Sequence, residues 1–149
     1  MQTFLPIADF DRSAMILDRL RLNKQRLECK QILMSLTGGG GWKHHPAVKM
    51  WEGYELSLCD YSLAICEACN ARGIADNVGA YNWFADGART LVELNGIEDA
   101  VTPPWFGNAK FHRAHRSNLV RKNSLYYRRF FKTVPDDLPY VWPTKEGLM

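Results

Sequence analysis

The stretch Asp18–Leu36, DRLRLNKQRLECKQILMSL, decides how the rest of the chain is read. Wound as a helix, it carries Leu20, Leu27 and Met34 along one side, spaced by sevens, and Leu22, Cys29, Leu33 and Leu36 on nearly the opposite side. Between them runs a polar strip of Arg21, Lys24, Glu28, Gln31 and Ser35. A surface helix normally has one apolar stripe and one solvated face. Two apolar arcs predict packing on two sides, with this helix at the centre of the fold. Glu28 is then expected on the floor of a groove, beside Arg21 and Lys24. A carboxylate so placed is raised in pKa by desolvation and lowered by the cations, and it can serve as acid, base or electrostatic stabiliser. The plainer alternative is a helix salt bridge to Arg21 and Lys24, worth a few tenths of about 1 kcal/mol.

Outward from that stretch, the pattern predicts an all-α bundle of four to five helices. The chain of 149 residues, 46% hydrophobic, reads as a single domain over 1–149. Met1–Ile7 is expected to be extended. Asp9 or Asp11 can cap a helix from about Arg12, which either continues into the central one or bends near Asp18. The glycine run Gly38–Gly41 ends the central helix and WKHHP connects it to the next, expected from Pro46 to Arg72 and closed by Gly73. Asn77–Asn95 is expected as a helix facing the core with Val78, Tyr81, Phe84, Ala88, Leu91 and Val92, then closed by Gly96. A helix over Ala109–Asn123 and a short one in LYYRRFF, capped by Ser124, follow. Val134–Met149 contains Pro135, Pro139 and Pro143 and reads as a strap over the body. No strand pair or hairpin signal stands out.

No apolar run reaches the roughly 18 residues a membrane span needs, and MQTFLPIADFDR lacks the basic start and apolar run of a signal peptide. The expected setting is cytoplasmic, and the expected state monomeric. The formal charge of +3 is unevenly spread. Between Asp99 and Asp136 there is no acid, but there are Lys110, Arg113, Arg116, Arg121, Lys122, Arg128, Arg129 and Lys132. Such segregation is the footprint of a polyanion-binding surface. Cys29, Cys59, Cys66 and Cys69 all fall in helical segments and read as reduced, buried thiols. Cys66 and Cys69 form a C-x-x-C inside a helix with no partner pair, so neither a metal nor a cofactor is assigned.

The segment from Trp105 to Phe131 interleaves cations with aromatics. Cations serve phosphates and aromatic faces can stack unpaired bases. Packing is the alternative for Tyr126, Tyr127, Phe130 and Phe131, and is expected for at least two of them. His112 and His115 share a helix face, each followed by an arginine, and read as phosphate or structural contacts. His44 and His45, just before a helix, can reach the same groove.

Four patterns then coincide: L-x-x-x-R-L-x-K-Q-R-x-E ending at Glu28, G-W-x-x-H-P-A-V-x-M-W ending at Trp51, P-P-W-x-G ending at Gly107, and H-R-x-x-L-x-R-K ending at Lys122. Over about Met1–Lys132 the chain resembles the pyrimidine dimer DNA glycosylase family, remotely for its founding phage enzyme and more nearly for small actinobacterial and phage members. The resemblance implies a compact helical fold, removal of damaged pyrimidines from double-stranded DNA and subsequent strand cleavage. It carries the family's catalytic glutamate onto Glu28, a phosphate-contacting lysine onto Lys122, and an arginine onto or near Arg116 or Asn118. In the founding enzyme the nucleophile is the α-amine of a threonine exposed by loss of the initiator methionine. Here Gln2 follows Met1, and its bulk is expected to retain Met1, so the amine is Met1's. The arginine that follows the phage nucleophile is absent. An α-amine ordinarily titrates near about pH 8, which leaves a neutral fraction at neutral pH.

The expected site is therefore Glu28 and Met1 as catalytic groups, with Arg21, Lys24, His44, His45, His112, Arg113, Arg116, Arg121 and Lys122 on the DNA. If Met1 cannot reach the sugar, Glu28 can activate water instead, giving base removal without efficient lyase activity. Two other readings remain open on sequence: a catalytically inactive DNA-binding protein on the same scaffold, and an N-glycosidase acting on a free nucleotide.

Overall fold

A computed structural model describes residues 1–96, 100–144 and 147–148. Asp99, which bounds the acid-free interval, and residues 145, 146 and 149 of the strap lie outside them. The protein is all-α, with seven helices among the described residues.

Asp9 caps α1 (Phe10–Ile16): its Oδ1 accepts the Arg12 N–H at 2.8 Å. The chain bends at Leu17, whose ψ of 137° is not helical, and α2 (Arg19–Leu36) begins. α2 buries Leu22, Gln25, Cys29, Ile32, Leu33 and Ser35. The opposite arc is not packed: Leu20, Leu27 and Met34 are 68%, 56% and 37% exposed. The expected two-sided packing is thus corrected to one side. The second arc matched a heptad spacing, but no element lies over it among the described residues. Close passage at the C-terminal end explains part of the glycine run, since a Cβ on Gly40 would lie 2.3 Å from Ser35 Oγ.

The helix expected over 46–72 is two: α3 (Pro46–Lys49) and α4 (Glu55–Ala71). Gly53 sits between them at φ +88°, a left-handed conformation that α-helix excludes and glycine adopts without Cβ strain. More than half of the residues of α4 are buried. Leu58, Tyr61, Ile65 and Cys69 lie fully covered against α1, α2 and α5 (Ala80–Asn95). Gly73 and Gly96 end α4 and α5 as expected. α5 starts three residues later than its spacing suggested, and Val78 and Tyr81 are exposed while Phe84 is fully buried. All four cysteines are free and buried. Burial pushes the Cys29, Cys59 and Cys66 thiols up to about 12, so they are protonated and unreactive.

α6 (Ala109–Lys122) is capped by Asn108 Oδ1, and α7 (Ser124–Tyr127) by Asn123 rather than Ser124. Of the four aromatics there, Tyr127 and Phe131 are buried and Phe130 is 47% exposed. The strap returns along α6. Arg121 Nη1 donates to the Asp136 and Leu138 carbonyls, and the Leu138 N–H donates to Ser117 Oγ at 3.0 Å. The strap ends in an unexpected ladder two residues long, β1 (Pro143–Thr144) against β2 (Gly147–Leu148), antiparallel.

One buried contact ties the two ends of the helical body together. Tyr127 Oη accepts the Asp18 N–H at 2.9 Å and donates to Asp18 Oδ1. Tyr127→Phe strands both partners where water does not reach them. It should lower stability by about 1–3 kcal/mol in urea unfolding, whereas Leu125→Ala, at a side chain 93% exposed, should change it by less than about 0.5 kcal/mol.

Candidate active site

The first seven residues have no regular secondary structure, yet Gln2 through Pro6 are buried. Buried backbone needs partners, and side chains from three helices supply them. Gln25 of α2 uses both ends of its amide, Oε1 accepting the Phe4 N–H at 2.8 Å and Nε2 donating to the Gln2 carbonyl at 2.9 Å. Tyr61 of α4 donates to the Phe4 carbonyl, and Trp51 Nε1 donates to Thr3 Oγ1 at 3.0 Å. The i, i+3 pair on α6 brackets one residue: the Leu5 N–H donates to His115 Nδ1 at 2.9 Å, and His112 Nδ1 donates to the Leu5 carbonyl at 2.7 Å. That tautomer follows because His112 Nε2 accepts the Gly107 N–H. Arg116 closes the series by donating to the Pro6 carbonyl at 2.8 Å.

This segment ends against Glu28. The Gln2 N–H donates to Glu28 Oε2 at 3.1 Å, and Lys24 Nζ lies 4.0 Å from Glu28 Oε1. The Glu28 side chain is only 13% exposed, against 68% for Lys24. Together they line a pocket of about 280 Å³ with Met1, Gln2, Phe4, Leu20, Arg21, Gln25, Lys122 and Tyr140. Arg21 is held on the other side by Asp18, Nη1 to Oδ2 at 3.2 Å, instead of pairing with Glu28. Lys122 is pushed below the usual lysine range by burial first and then by Arg21, Lys24 and Arg121, with Glu28 pulling the other way. The pocket therefore holds three cationic side chains and one carboxylate beside the Met1 terminus, an environment suited to an anionic group next to a general acid or base.

Five expected site residues, Met1, Arg21, Lys24, Glu28 and Lys122, thus share one pocket. The others sit elsewhere. His112 is corrected: it is 3% exposed with both nitrogens bound to backbone, so it is a structural histidine and not a phosphate contact. Arg121 fastens the strap. Arg113 and Arg116 line a separate basic cleft with Lys132 and the exposed Phe130. His44 lines another, with Lys43, Lys49 and Glu52. His45 caps α3 by accepting the Ala47 N–H on Nδ1 at 3.0 Å. Its pKa is lowered by burial and by the chain's terminal amine and raised by Glu28. Gln2, Phe4, Gln25 and Tyr140 were not anticipated. For Gln25 a signal existed, since a polar residue at the centre of a buried arc must have a partner.

His115 is fully buried, and burial, with His112 adding to it, lowers its pKa from 6.5 to about 3; His112 is lowered too, chiefly by burial. The unfolded chain takes up protons at a pH where the folded protein refuses them. The stability His115 contributes is complete above about pH 6.5 and is lost as pH falls from there toward about 3. For His115 the slope should approach about 1.4 kcal/mol per pH unit. Unfolding free energies followed from pH 7 down to 4 should show a shallower slope in His115→Asn, whose amide oxygen still accepts the Leu5 N–H.

Comparison with known proteins places these observations in one context. A family model described as pyrimidine dimer DNA glycosylase matches residues 1–82, which carry Met1, Arg21, Lys24 and Glu28. No curated protein and no solved structure matches the chain.

Proposed function

Since the chain belongs to the pyrimidine dimer DNA glycosylase family, we propose that it is a DNA repair N-glycosylase that removes damaged or modified pyrimidines from duplex DNA with Glu28, and that it cleaves the strand through an imine on the Met1 amine. The observation that carries this reading is the 3.1 Å bond between Glu28 Oε2 and the Gln2 N–H, which holds a shielded carboxylate one residue from the amine. Both line a pocket with Arg21, Lys24 and Lys122, cations suited to the phosphates that flank the target sugar.

In this mechanism the neutral amine attacks C1′ of the deoxyribose. The C1′–N bond to the base breaks, the base leaves with the bonding electrons and acquires a proton, and the amine gives up a proton to Glu28. Positive charge that develops on the sugar as the bond breaks is stabilised by the same carboxylate. Ring opening turns the adduct into an imine. Loss of a C2′ proton then expels the 3′ phosphate by β-elimination. If water activated by Glu28 replaces the amine, the base still leaves and no covalent adduct forms.

Borohydride reduces an imine, so incubation with ultraviolet-irradiated duplex DNA should trap a covalent adduct whose DNA maps by mass to Met1. Glu28→Gln keeps an oxygen acceptor for the Gln2 N–H and should fold, yet lose base removal by roughly 10²- to 10⁴-fold. Turnover that survives this substitution would exclude the carboxylate mechanism. DNA binding without turnover in either form would favour an inactive DNA-binding protein.

Lys122→Ala should weaken duplex binding alike across sequences and reduce the slope of log affinity against log salt by about 1. An affinity nearly independent of salt would point instead to a free nucleotide as substrate.

A further inference from the structure

A second concavity lies between α6 and the strap, on residues the Glu28 pocket does not use. Its volume is about 330 Å³, and Ala114, Leu138, Pro139 and Val141 wall it with apolar surface. Tyr140 lines the Glu28 pocket while its neighbours Pro139 and Val141 line this groove, so the strap separates the two. Lys110 and Arg113, one turn apart on α6, are exposed and supply the polar rim. The ion pairs among the described residues are Asp18–Arg21, Lys24–Glu28 and Asp86–Arg89, so neither rim cation is paired with a described carboxylate. Asp136 and Asp137 of the strap do not line the groove. Arg113 also borders the cleft that holds Arg116, Lys132 and the exposed Phe130, so positive charge continues past the groove's edge.

Apolar walls and a cationic rim ask two things of one ligand. A duplex satisfies the cations with phosphates but brings a charged backbone against the walls and leaves them uncovered. A peptide supplies both: an apolar side chain desolvates the walls, and neighbouring carboxylates accept from Lys110 and from the guanidinium fork of Arg113. An anchor that fills a pocket contributes most of the affinity, and the charges set orientation and encounter rate. We propose that the groove between α6 and the strap docks an acidic segment of another protein, with an aliphatic or aromatic anchor between Ala114 and Val141 and carboxylates on Lys110 and Arg113. This surface is separate from the Glu28 pocket and does not depend on the reading of that pocket as a DNA site.

The test uses a fluorescein-labelled peptide of aspartates and serines around one central phenylalanine. One altered copy has serine in place of the phenylalanine, and another has asparagines in place of the aspartates. In anisotropy titrations the wild type should bind the parent peptide and lose roughly tenfold in affinity with either altered copy. Ala109→Trp, at an exposed groove residue in the first turn of α6, should fill the space and abolish binding. Lys110→Glu should weaken binding by on the order of tenfold, and it should fold, because a carboxylate suits the first turn of a helix. Lys122→Ala, in the Glu28 pocket, should leave the peptide's affinity unchanged. Circular dichroism should show every variant folded. No binding to the wild type, equal binding of the peptide without phenylalanine, or binding that survives Ala109→Trp overturns the groove and leaves the Glu28 reading standing. Loss of binding in Lys122→Ala overturns it too, by placing the peptide in the cationic pocket. A labelled duplex whose binding is lost in Ala109→Trp assigns this face to nucleic acid and likewise overturns the proposal.

Discussion

The packing of residues Gln2–Pro6 against side chains of α2, α4 and α6 is the constraint on which the pocket depends. These residues form no helix or strand, so ladder hydrogen bonds do not locate them. Their position is set by the Gln25 amide, the Tyr61 hydroxyl, the His112–His115 pair and the Arg116 guanidinium, each bonded to a backbone group of the segment. Each partner that is lost would leave a buried peptide group unsatisfied, at a cost of about 1–3 kcal/mol. The register is thereby fixed to a single residue, and that register brings the Gln2 N–H to Glu28.

Electrostatics completes what packing starts. Glu28 is shielded, while Arg21, Lys24 and Lys122 surround the same space. The depression of Lys122 by burial and by its cationic neighbours is the cost of collecting like charges. The three cationic side chains and the shielded carboxylate are thus parts of one arrangement.

Much of the fold was legible because its signals are local. Gly73 and Gly96 as stops follow from chemistry within a few residues, whereas the sequence left Asp9 and Asp11 both open as the cap and a bend or a continuous helix both open near Asp18. Gly53 carries a local signal for a break as well, within an apolar period that continues on either side of it. The exposed Leu20, Leu27 and Met34 show the limit of periodicity, which states that a face is apolar and not that another element covers it. Glu28 was singled out in the sequence by its setting between cations. For His112 the sequence left a phosphate and a structural contact both open, because a histidine followed by arginine looks the same whether it faces a phosphate or the Leu5 carbonyl. Tyr140 had no sequence signal, since its place in the pocket depends on where Arg121 and Ser117 hold Leu138.

The bond from Leu5 to His115 spans 110 positions of sequence, and the one from Asp18 to Tyr127 spans 109. Such distant pairings are slow to close, because the loop must be ordered before the contact rewards it. During synthesis Leu5 and Pro6 find none of their α6 partners until residues 112–116 have been made. The geometry around Glu28 is a late product of folding: a chain long enough to wind α2 already has its carboxylate, but nothing yet to steer it.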